Sequence, residues 1–79
     1  MPLLLRSKGY RFYFYSQEIG EPPHVHVDKD NKSAKFWLES ASVVRSSHFT
    51  PLELREIARI ISVNRLEFLR RWNEHFGHS

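Results

Sequence analysis

A chain of 79 residues lies near the low end for one hydrophobic core and leaves no room for a second, so residues 1–79 are expected to form a single domain. With 41% hydrophobic residues, among them six Phe, three Tyr and two Trp, compositional disorder is excluded, and the absence of cysteine excludes a disulfide framework or a thiolate metal site. Twelve Lys and Arg against nine Asp and Glu give a net charge of +3, a mild bias toward an anionic partner.

At the start, the apolar run Leu3-Leu4-Leu5 meets Arg6. That is far shorter than a signal peptide or a membrane span requires, so a cytoplasmic protein without membrane contact is expected. Leu3 to Arg6 suits a short strand. Tyr10 to Tyr15 is almost wholly aromatic and strongly favours one. Gly20-Glu21-Pro22-Pro23 is turn material, because proline cannot donate to a ladder and disfavours helix in the residue before it. His24 to Asp28 then alternates, and Asp30-Asn31-Lys32 forms a hairpin turn into a strand over Ala34 to Glu39. Strand-like signals run to about Val44.

From Phe49 the period becomes helical. Thr50 can cap, Pro51 suits the first helical position, and Glu53 completes a capping box, with Phe49 and Leu54 at hydrophobic-staple positions. Leu54, Ile57, Ala58 and Ile61 make an apolar stripe. After a break at Ser62 to Asn64, a second stripe of Leu66, Leu69, Trp72 and Phe76 ends at Gly77. The expected class is α+β: a small antiparallel sheet of three to four strands followed by two C-terminal helices packed on one face.

Strand alternation sorts the residues by face. Phe12, Phe14, Val25, Val27, Phe36 and Leu38 are expected to meet the helices, leaving Arg11, Tyr13, Tyr15, His24, His26, Lys35 and Trp37 on the open face. Residues two apart on a strand point the same way, so His24 and His26 would project side by side, roughly 6 to 7 Å apart at the backbone. Two such imidazoles could share general acid/base work, hold a metal with a third ligand from Glu21, Asp28 or His48, or decorate a half-exposed strand.

The remaining candidates surround that pair. Tyr13, Tyr15 and Trp37 offer rings on which bases stack, while Arg11 and Lys35 supply charge for phosphates. His24 and His26 with Lys35 or Arg11 would meet the minimum for metal-independent cleavage of RNA at a ribose hydroxyl: a base, an acid and a cation. Equally, the rings could be partly buried under a loop or a partner chain. Arg45-Ser46-Ser47-His48, directly before the capped helix, is either an anion site at a helix N-terminus or a polar turn. The helix arginines interleave with glutamates as a solvated, salt-bridged surface does.

Three segments in this order carry a family likeness: Gly9-Tyr10-Arg11-Phe12-Tyr13-Phe14-Tyr15-Ser16, then Glu21-Pro22-Pro23-His24-Val25-His26-Val27, then Ala34-Lys35-Phe36-Trp37-Leu38-Glu39. The helix Leu54-Arg55-Glu56-Ile57 and a closing Trp72-Asn73-Glu74-His75-Phe76-Gly77 complete it. Together they resemble the bacterial family called domain of unknown function 4160. The resemblance implies a short protein encoded beside a second small protein, the pair forming a toxin and antitoxin module with this chain as the toxin; it transfers no catalytic residues. The expected function is thus a toxin acting on RNA or the translation machinery, a ribonuclease in its sharpest form, without a cofactor, whose cognate antitoxin would cover the basic, aromatic face. Two alternatives stay open: a non-catalytic RNA- or protein-binding module, and a metal-dependent hydrolase centred on His24-Val25-His26.

Overall fold

The computed structural model describes residues 3–15 and 20–76; Met1, Pro2, Ser16 and the helix-ending Gly77 lie outside them. Five strands precede two helices: β1 (Leu3–Ser7), β2 (Tyr10–Tyr13), β3 (His24–Lys29), β4 (Lys32–Trp37), β5 (Val43–Ser47), α1 (Pro51–Val63) and α2 (Arg65–Phe76). The sheet is an antiparallel meander in which each strand pairs with its neighbour in sequence, in the order β1-β2-β3-β4-β5. The α+β class stands, with one strand more than the sequence suggests. Two-residue turns join β1 to β2 and β3 to β4, since antiparallel neighbours need only a tight reversal. Lys8 and Asp30 take positive φ, 54° and 55°, in the β1–β2 and β3–β4 turns, and Gly9 follows Lys8 at 85°.

The added strand is β5. Its serines suggested a turn, but Ser33 faces Ser47 and Lys35 faces Arg45 in register, so the segment extends the sheet. A shift between Lys35 and Phe36 places Val43 opposite Phe36, which leaves Val44 as the extra residue of an irregular edge.

The core lies between one sheet face and the helices. Phe12, Phe14, Val25, Val27, Phe36 and Leu38 are all buried as the alternation requires, joined by Tyr10, Ile57, Ile60, Ile61 and Phe68. Helix α1 starts on the expected device: Thr50 Oγ1 accepts from the Glu53 amide at 3.1 Å, and the Thr50 amide donates to Glu53 Oε1 at 2.9 Å. Asn64 ends α1 by donating its amide to the Ile60 and Ile61 carbonyls, and its own carbonyl accepts from Phe68 to open α2. That break at Asn64 shifts the phase of the second stripe. Leu66, expected inside, is 83% exposed, and Phe68 takes the core position instead. No helix among the described residues is long and apolar enough to cross a membrane.

Candidate nucleic-acid interface

Register brings together residues far apart in sequence. Tyr13 faces His26, His26 faces Lys35 and Lys35 faces Arg45, so one row of side chains crosses four strands on the face away from the helices. The next row places Arg11 opposite Asp28, Asp28 opposite Ser33 and Ser33 opposite Ser47. Between them lies a shallow depression of about 220 Å³ lined by Tyr13, Tyr15, His26, Asp28, Lys35 and Arg45, together with Ser33, Ser46 and Ser47.

The rings and the lysine there have partners that set their character. The His26 ring stacks on Tyr13 at a 5.5 Å centroid distance and lies 4.5 Å from Tyr15. Tyr13 donates its hydroxyl to Asp28 Oδ2 at 2.9 Å. Burial first, then hydrogen bonding with Tyr15 and Asp28, pushes the Tyr13 pKa well above its ordinary value. It therefore stays a neutral donor, unfit for proton transfer near neutral pH. Lys35 Nζ donates to Glu21 Oε1 at 2.6 Å and sits 5.3 Å from the Trp37 ring, so its charge is held by a carboxylate on one side and an aromatic face on the other. Arg45 is exposed and makes no ion pair among the described residues. It is the cation of this face most available to an incoming anion.

The imidazoles do share a face, with ring centroids 5.3 Å apart, yet their surroundings differ from the half-exposed strand expected. His24 has no exposed surface and His26 retains 7%. The reason lies in α2. Trp72 comes within 5.0 Å of the His24 ring at the end of the sheet, while Trp37 stands across from it on β4. His24 Nδ1 lies 2.9 Å from the Pro22 carbonyl oxygen, which can only accept, so Nδ1 carries the proton. A ring closed in this way positions the Pro22 turn and cannot reach a substrate.

The predicted site residues therefore separate. Tyr13, Tyr15, His26, Lys35 and Arg45 come together around the depression. Trp37 stands beside the sealed His24, and half-buried Arg11 occupies the adjoining row without lining the depression. His48, exposed at a φ of 75° between β5 and the helix cap, does not line it either. Arg45, Ser46 and Ser47, read from the sequence as either an anion site or a polar turn before the helix, belong to strand β5, and the first turn of α1 carries its own capping carboxylate, Glu53. Sequence reasoning passed over Ser33 and saw Asp28 and Glu21 only as metal ligands. The signal for Ser33 and Asp28 was their period with Lys35 and His26. Among the described residues no three His, Asp or Glu side chains converge as a metal-ligand group.

Residues 9–73 match a family model described as Domain of unknown function (DUF4160). Comparison with curated proteins and with solved structures returns no match.

Proposed function

Because the chain belongs to the DUF4160 family, a domain of unknown function, its activity has to be read from its own residues, and we propose that it binds single-stranded RNA through the open sheet face, as the RNA-acting toxin of a two-protein module. The toxin role rests on the resemblance alone. The RNA reading rests on one observation: the Tyr13–His26–Lys35–Arg45 row, in register across four strands and bordered by the exposed ring of Tyr15. An exposed guanidinium supplies the phosphate contact, serine hydroxyls add donors, and an accessible tyrosine face stacks a base without demanding its identity. Binding rather than cleavage is the favoured activity, since the general acid/base pair would need His24, which has no exposed surface.

The test is fluorescence anisotropy with a labelled ten-nucleotide single-stranded RNA, the same mixtures being run on a denaturing gel. Tyr15→Ala is expected to weaken binding roughly 5- to 150-fold, the range of one lost base stack. Arg45→Ala should weaken it for every sequence alike. Wild-type protein that leaves the anisotropy unchanged, or variants that bind as tightly as it does, would overturn the reading. RNA fragments that vanish in His24→Ala but persist in a catalytically neutral control such as Leu66→Ser would restore the two-histidine ribonuclease.

A further inference from the structure

The three most exposed large apolar side chains among the described residues are Leu52 at 68%, Val63 at 78% and Leu66 at 83%, all on the helices and none on the sheet face. Two of them, Leu52 and Val63, bracket a groove of about 680 Å³ between α1 and the β1–β2 turn, whose other lining includes Lys8, Arg55, Glu56 and Arg59. Positions 52, 55, 59 and 63 recur at helical spacing, so leucine, two arginines and valine form one outward stripe about 16 Å long, given a rise of 1.5 Å per residue. The charge along it is unbalanced. Glu56 is engaged at home, accepting from the Tyr10 hydroxyl at 2.8 Å and pairing with Lys8 at 3.6 Å, whereas Arg55 and Arg59 are exposed and make no ion pair among the described residues.

An aliphatic stripe interrupted by two uncompensated guanidiniums selects its occupant. A second copy of this chain is disfavoured: helices packed antiparallel about the stripe would set Leu52 against Val63 but Arg55 against Arg59, like charges in contact. Nucleic acid would satisfy the arginines, but the groove lining offers no aromatic face on which a base could stack. We propose that this groove is the docking site for an acidic amphipathic helix of another protein, whose apolar residues at i, i+3/4 and i+7 cover Leu52 and Val63 while flanking Glu or Asp meet Arg55, Arg59 and Lys8. The occupant lies on the helical side of the molecule and leaves the RNA-facing row uncovered, so the companion protein and RNA bind at once, contrary to the expectation that the partner would mask the basic, aromatic face.

The experiment is a display selection on the full-length protein, using a library of sixteen-residue helix-forming peptides with random charge at the polar positions. Enrichment of net-acidic amphipathic sequences is expected. The best peptide should bind at least tenfold more weakly to the Leu52→Asp/Val63→Asp pair and to the Arg55→Glu/Arg59→Glu pair. A lysine-for-glutamate version of it should prefer the second pair over wild type. All four positions are solvent-facing, and thermal melts of the variants establish that they fold. The proposal fails if basic or uncharged peptides are enriched, if none is, or if the enriched peptides ignore the substitutions. It fails equally if sedimentation shows a wild-type dimer that Leu52→Asp/Val63→Asp dissolves, which assigns the groove to a second copy, or if Arg55→Glu/Arg59→Glu abolishes binding of the ten-nucleotide RNA, which assigns it to nucleic acid.

Discussion

His24 and His26 share a strand and a face and nevertheless have opposite fates. The first is held by the Pro22 carbonyl and walled in by Trp72, so its contribution is to stability; the second keeps one edge on the depression. His24→Ala is expected to cost about 1–3 kcal/mol, the usual range for losing a buried, hydrogen-bonded side chain, while the folded fraction binds RNA as wild type does. His26→Ala should lower stability by a comparable amount, its ring being buried against Tyr13 and Tyr15, and should also weaken binding by the folded protein. Urea melts beside the anisotropy titration separate the two, and a stable His24→Ala protein that no longer binds would contradict the assignment. Tyr10 offers a second residue-scale check. Burial foremost, with its hydrogen bond to Glu56, raises its pKa from 10.0 to about 12. A raised folded-state pKa stabilises the fold fully below pH 10 and loses that contribution as pH climbs through 12. Spectrophotometric titration at alkaline pH should show this late tyrosinate in wild type and lose it in Tyr10→Phe.

At the scale of elements, α1 is held at its start by side chains and α2 by what it buries. The Glu53 pKa is lowered mainly by its hydrogen bond from Lys32 and then by the Thr50 amide. The stability this supplies is present above the carboxylate's ordinary pKa of 4.5 and is lost as pH falls through the lowered value, so Glu53→Gln should flatten the acid limb of a stability–pH curve. Thr50→Ala should lower stability by about 1 kcal/mol at neutral pH, the common cost of a lost cap. Helix α2 tests the phase correction. Leu66→Ser at an exposed position should change stability by less than about 0.5 kcal/mol, and Phe68→Ala in the core should cost about 3–5 kcal/mol. Equal effects would mean that Leu66, as the simple i, i+3 stripe suggests, faces the sheet. The start of α1 was legible because capping is a local bargain between residues three apart. Strand β5 was not legible, since Val43-Val44-Arg45-Ser46-Ser47 has no clean alternation and becomes a strand only by pairing with β4.

Over the whole molecule, the Cα radius of gyration of 11.7 Å matches the value of about 11.6 Å that compact chains of this length adopt. So small a body separates its surfaces by using both sides of a three-part stack: open sheet face, shared core, outer helix face. With the single phosphate contact at Arg45, the logarithm of RNA affinity should fall with the logarithm of salt concentration at a slope of about −0.7, which Arg45→Ala should largely remove. A slope of zero would remove electrostatics from the interface. The peptide-binding groove should show its own salt dependence, which Arg45→Ala leaves intact.

The two-residue period of the strands and the capping chemistry of Thr50 and Glu53 determined by themselves the class of the fold, the core face, and the set of side chains opposite it. Both are short-range consequences of backbone geometry, and they hold whatever the rest of the chain does. Tertiary structure decided which of those side chains meet a ligand. Only pairing in register could add β5 and bring Arg45 beside Lys35, and only the arrival of Trp72 at the end of the sheet could close His24 away from solvent. Alternation separates the core face from the open one, but which residues of the open face are closed off depends on partners found at long range, and no local pattern encodes those.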